Sequence, residues 1–161
     1  MKYLAAAAAA SALFTTTTLA SPCYRRDDSE TFQIKDFSIR KPNGQDISNV
    51  SFRILATNGG TLDFECTAYD PSIDGPTANF VPGRPYFCGK DSSLSFSYTP
   101  KHDNQQQNEL WMWDTITKSQ IYIGHVGFDD PICRAGGSSS SDLVCDLPDV
   151  VDLFVTLYMS T

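Results

Sequence analysis

Histidine is the side chain whose ordinary titration falls near neutrality, and the chain has two, His102 and His125. His102 sits in the polar run KHDNQQQN and His125 in a strand-like run, with neither a G-x-S-x-G elbow nor an H-E-x-x-H helix around them. A surface or structural role follows for both, and no catalytic residue is assigned. Carboxylates are plentiful: Asp27 and Asp28, Asp129 and Asp130, then Asp142, Asp146, Asp149 and Asp152. A glycosidase needs two of them facing one cleft, and a calcium loop needs oxygens at D-x-D-x-D-G offsets, a pattern this sequence lacks. They read as solvated surface, with a hydrolase built on the acidic C-terminal region as the last-ranked alternative. No CxxC or His pair has metal-ligand spacing, so neither metal nor cofactor is expected.

The five cysteines carry a different chemistry. Cys66, Cys88, Cys133 and Cys145 lie inside the patterned body, and Cys23 stands apart near the N-terminus. In a secreted chain of this size most should be disulfides, which also argues against a nucleophilic thiol. Four cysteines allow three pairings. Two local loops, Cys66 with Cys88 and Cys133 with Cys145, need the least chain to close, and each such bridge is worth roughly 2–4 kcal/mol. Cys23 is then the odd thiol, and an intermolecular bridge giving a disulfide-linked homodimer is its natural use. Arg25-Arg26 has the form of a dibasic processing site, and cutting there would remove Cys23 and the covalent dimer with it.

Two further features invite recognition. Trp111 and Trp113 alternate with Leu110 and Met112, so both faces of that stretch are apolar. One face must enter the core, which leaves the other buried as well or free for a partner, an interior cavity or a dimer seam, and makes the two tryptophans the candidate ligand-binding residues. Asn49-Val50-Ser51 is an N-glycosylation sequon.

The elements that must position these groups are strands. In residues 51–66, Phe52 and Ile54 alternate with Arg53 on the way in, and Leu62, Phe64 and Cys66 alternate with Asp63 and Glu65 on the way out. Asn58, Gly59 and Gly60 tolerate the positive φ of a tight turn, so this is a β-hairpin with one face toward a core. A first strand runs through Phe32, Ile34, Phe37 and Ile39 and stops at Lys41-Pro42-Asn43-Gly44. Pro71, Pro76, Pro82 and Pro85 make the stretch between Cys66 and Cys88 an irregular excursion. Leu94, Phe96 and Tyr98 give another strand, Leu110 to Trp113 and Ile121 to Val126 the next pair, and RAGGSSSSDLV a flexible loop between Cys133 and Cys145. Val150 to Tyr158 is nearly continuous in apolar and β-branched residues and reads as a central strand. No helical period is visible, so the fold class is all-β, a single antiparallel barrel.

The chain has 161 residues, and its start is not part of that domain. Lys2, an uncharged run to Phe14 and a Thr-rich tail to Ala20 have the three zones of a secretory signal peptide, cleaved after Ala20. The expected organisation is a signal peptide over 1–20, a mobile arm over 21–30 and the barrel over 31–161, in an extracellular protein. The formal net charge is −7, one unit more negative once Lys2 is removed, and no basic cluster exists beyond Arg25-Arg26. Nucleic acid and anionic membrane both require a positive face, so neither is expected as a partner.

The strings IRKPNG (39–44), ATNGGTLDFEC (56–66), YFCG (86–89), and CRAGG followed by DLVC (133–145) resemble the Alternaria major-allergen family of small secreted fungal proteins. They run in order across most of the chain and include all four body cysteines. The resemblance implies a compact antiparallel β-barrel, disulfides pairing Cys66 with Cys88 and Cys133 with Cys145, and an intersubunit role for Cys23. It also implies a non-enzymatic fungal allergen or effector that elicits plant defence or cell death. Its expected partners are a host plant protein, such as a thaumatin-like pathogenesis-related protein, or a small phenolic ligand of flavonoid type, for which the barrel would be a carrier. The tryptophan strand, the proline-rich excursion and the dibasic site depart from the family pattern.

Overall fold

The computed structural model describes residues 29–102 and 105–160. The expected signal peptide, its expected cleavage point after Ala20, Cys23 and Arg25-Arg26 lie outside the described residues. No helix occurs among the described residues, which form one antiparallel sheet.

In chain order the strands are β1 (Ser29–Lys41), β2 (Asn49–Ala56), β3 (Asp63–Thr67), β4 (Tyr69–Asp70), β5 (Gly75–Pro76), β6 (Tyr86–Phe87), β7 (Leu94–Thr99), β8 (Asn108–Thr117), β9 (Gln120–Phe128), β10 (Ile132–Ala135), β11 (Leu143–Asp146) and β12 (Leu153–Met159). Spatial order along the sheet is β10-β11-β1-β12-β9-β8-β7-β6-β4-β5, with β2 on the other side of β1 and β3 beyond it. The long β1 therefore has three neighbours. Its first half pairs with β12, its second half with β11, and both halves with β2. A register shift between Lys35 and Ser38, with Asp36 at φ 52°, bends β1 between the two halves. The sheet curls into a nearly closed barrel, and the Cys66–Cys88 bond ties β3 to the residue after β6 across its remaining seam. Cys133 is bonded to Cys145 across β10 and β11, where the two are opposite partners in the ladder.

Alternation sorts the side chains. Phe32, Ile34, Phe37, Ile39, Phe52, Ile54, Phe96, Leu110, Met112, Val155 and Leu157 point inward and are almost wholly buried. The centre is aromatic: Phe37 packs edge-on against Phe128 at 4.9 Å between ring centroids, Phe52 edge-on against Phe96 at 4.9 Å, and Phe37 against Tyr98 at 5.4 Å.

Four sequence expectations change in detail. Ser29 and Glu30, placed in the mobile arm, already belong to β1, because Ser29 to Ile34 find partners along β12. The proline-rich excursion contains three two-residue strands, and Pro76 sits in β5 at the end of the sheet, where the missing N–H costs nothing. The Cys133–Cys145 loop is a short hairpin at its base. Val150 and Val151 lie outside β12, which alternates: Leu153, Val155 and Leu157 face in, while Phe154 and Tyr158 face out.

Candidate functional site

Strand β8 has two apolar faces for two different reasons. Leu110 and Met112 fill the core, so Glu109, Trp111 and Trp113, one residue out of phase, must face outward. Both tryptophans are half-buried there. Trp111 lies between Ser97 of β7 and His125 of β9, and Trp113 between Ser95 of β7 and Ile123 of β9. The small serines cover little, whereas His125 stacks on Trp111 at 4.4 Å with an 18° interplanar angle. Trp111 and Trp113 are 6.4 Å apart at 21°, so three rings stand nearly parallel. Tyr158 of β12, opposite Ile123, and Phe154 on the same outward face of β12 carry the apolar surface across the next strand. The interior-cavity role for Trp111 and Trp113 is thus corrected: core aromatics occupy the interior, and the tryptophans lie outside it.

One end of this face is polar. The Trp111 indole Nε1–H donates to Glu109 Oε2 at 3.2 Å. Beyond it, Gln105, Gln106, Gln107, Glu109, His125 and Gly127 line an open groove of about 250 Å³. Buried Asn108, 2% exposed, anchors the base of the loop that supplies the glutamines. Its Oδ1 accepts from the Tyr98 hydroxyl at 2.8 Å and the Lys101 backbone N–H at 3.2 Å, and its Nδ2 donates to the Phe128 carbonyl at 3.3 Å and Asp130 Oδ1 at 3.1 Å. Burial pushes the Tyr98 phenol well above its usual range, so it remains a donor. Lys101 and Asn108 hold the Asp130 carboxyl below the usual carboxylate range. His102, on the exposed part of this loop, is not brought to His125; its backbone N–H is 3.4 Å from Gln105 Oε1.

The acidic residues are dispersed among ion pairs. Asp142, whose side chain is fully buried, takes Arg40 Nε at 3.4 Å and Nη2 at 3.0 Å, together with the Ser138 N–H at 3.0 Å. Asp146 pairs with Arg134 and Asp152 with Lys35. Among the described residues no group of three or more His, Cys, Asp or Glu is placed to hold a metal ion. Asn49 opens β2, opposite Arg40, and Ser51 shares its outward face; Asn49 Nδ2 donates weakly to the Thr77 carbonyl at 3.5 Å.

The groove residues Gln105, Gln107, Glu109 and Gly127 are absent from the sequence-level candidates. One signal was present: Glu109 is two residues from Trp111, hence on the same face of a strand.

A family model described as Alternaria alternata allergen 1 matches residues 34–145. Allergen Ste b 1 of Stemphylium botryosum is 33% identical over 114 residues, covering 71% of this chain and 74% of the relative. Major allergen Alt a 1 of Alternaria alternata is 31% identical over 126 residues, covering 78% of this chain and 71% of that protein. A crystal structure of the Alternaria alternata major allergen Alt a 1 superposes with a TM-score of 0.66 at 30% identity, covering 81% of this chain and 94% of that one.

Proposed function

This chain belongs to the Alternaria alternata allergen 1 family, and from that premise we propose that it is a secreted, non-enzymatic effector that binds host molecules and elicits plant defence or cell death. The observation that carries this reading is the outward row of Trp111, Trp113 and His125 on a sheet whose inner face is already filled. The barrel core does not need those rings, and half-exposed tryptophans are the side chains that most often anchor a protein partner. The partner is a host plant protein, with a thaumatin-like pathogenesis-related protein as the first class to try. Secretion is supported by the N-terminal leader and by two disulfides, bonds that persist in oxidising surroundings.

Leaf infiltration tests it. Purified secreted protein should cause necrosis or defence-gene induction and retain a host protein in a pull-down, and the Trp111→Ala, Trp113→Ala double variant, if its Tm is unchanged, should do neither. A folded wild-type protein that is silent in both assays overturns the reading.

A small phenolic ligand is the second reading, favoured by the parallel rings, against which another flat ring can stack. Its seat is external, because the interior is packed. Tryptophan fluorescence titrated with a flavonoid decides it, a flat response removing the ligand role of Trp111 and Trp113. A homodimer bridged through Cys23 is the accompanying assembly, read from mobility on a gel with and without reductant.

A further inference from the structure

We propose that the groove at the polar end of β8 and β9 is a subsite for a neutral glycan. This goes beyond the protein-binding face proposed above, since it assigns a ligand class to a groove whose lining shares only His125 with that face.

Three observations converge. The lining joins amide side chains, Gln105, Gln106 and Gln107, to a carboxylate, Glu109. Each amide both donates and accepts hydrogen bonds, and a carboxylate accepts from two neighbouring hydroxyls at once, which is the pairing a pyranose edge demands. At the inner end the exposed His125 ring, backed by Trp111 at 4.4 Å, supplies a flat wall for the C–H groups of a sugar ring. Asn108, next to Gln107, closes the base of the glutamine loop by accepting the Lys101 N–H, and is itself anchored to Tyr98, the Phe128 carbonyl and Asp130. Fixing the base removes part of the ordering cost that would otherwise weaken binding.

Charge and size narrow the ligand. Glu109 within the groove and a net charge of −7 repel uronic acids and phosphates. A volume of about 250 Å³ is below the ~300–1,000 Å³ of pockets that enclose drug-sized ligands. It suits one ring of a polymer whose neighbours leave through the open mouth.

Gly127 makes the test selective. A Cβ added there would fall 2.5 Å from Gln107 Oε1, the end of a flexible side chain, and its three nearest neighbours are all Gln107 atoms, so Gly127→Ala displaces the Gln107 amide from its place in the lining. The mature, disulfide-intact protein is titrated with laminarihexaose, cellohexaose and chitohexaose, and with oligogalacturonate as the anionic comparator, following tryptophan fluorescence and heat. The expected result is saturable binding of at least one neutral hexamer and none of oligogalacturonate. Gly127→Ala and, as an independent variant, Gln107→Ala should each weaken binding about tenfold at unchanged Tm, the effect of one lost hydrogen bond to ligand. No saturable response to any neutral hexamer at millimolar concentration overturns the proposal, as does equal affinity for oligogalacturonate or binding indifferent to both variants. The assay contains no host protein, so its failure leaves the leaf-infiltration reading standing. A Gly127→Ala protein that loses sugar but still elicits a response in leaf separates the two sites.

Discussion

Asp142 shows how a single carboxylate can organise a loop. It is reached by Arg40 from β1, accepts the Ser138 N–H, and lies so close to Gly136 that a Cβ there would be 2.5 Å from its Oδ2. Arg40 first, then the Ser138 N–H, hold its carboxyl below the usual range. A depressed carboxylate stabilises the fold fully above its unfolded pKa, about 3.9, and loses that contribution as pH falls through the lower folded value. Asp142→Asn should therefore lower Tm near neutrality and flatten the loss of stability below about pH 4, measured by thermal melts across pH. Asn108 is a neutral counterpart. Asn108→Leu leaves the buried Tyr98 hydroxyl without its acceptor and should cost about 1–3 kcal/mol by urea denaturation. Residue types were readable from the sequence, but not their neighbours. Counting back from the two-residue turn between Thr117 and Gln120 puts Val126 opposite Trp111, whereas the register shift between Thr115 and Thr117 moves His125 there instead. One extra residue, invisible to alternation, created the ring stack.

Among the elements, alternation located β2, β3, β7, β8 and β9 because each has one face in the core and one outside it. It misjudged places where pairing, not polarity, sets the boundary. Leu62 continues the alternating pattern of β3 but lies exposed in the turn, its carbonyl accepting the Ala56 N–H at 3.0 Å. The two-residue strands β4, β5 and β6 are too short to leave a period in the sequence and exist only because neighbours offer ladder partners. The contact between β9 and β12 is the tightest of the sheet's glycine positions. A Cβ on Gly124 would lie 2.1 Å from the Thr156 carbonyl oxygen, which is backbone and cannot swing aside. Gly124→Ala should push β12 outward and cost about 3 kcal/mol, the upper end of ordinary overpacking, with hydrogen exchange rising first in β12.

For the whole molecule, the all-β class was legible because short strands and turn signals alternate from end to end. The order of strands in the sheet was not, since nothing local says that β1 lies between β2, β11 and β12. The aromatic centre depends on that order: Phe37 comes from β1, Phe52 from β2, Tyr98 from β7 and Phe128 from β9. Phe37→Ala should remove about 3–5 kcal/mol, measured by denaturant unfolding. Replacing Cys66 and Cys88 together by alanine should remove roughly 2–4 kcal/mol, more than the same change at Cys133 and Cys145, because the first bond spans 22 residues and the second 12. The pairing of Ser29 with Tyr158 also sets a clock. A chain delivered from its N-terminus cannot complete the ladder of β1 until β12 arrives, although Cys66 and Cys88 can meet much earlier. During that interval the first half of β1 has an unclaimed edge, which is where an emerging chain is open to chaperones and to mispairing with a second copy.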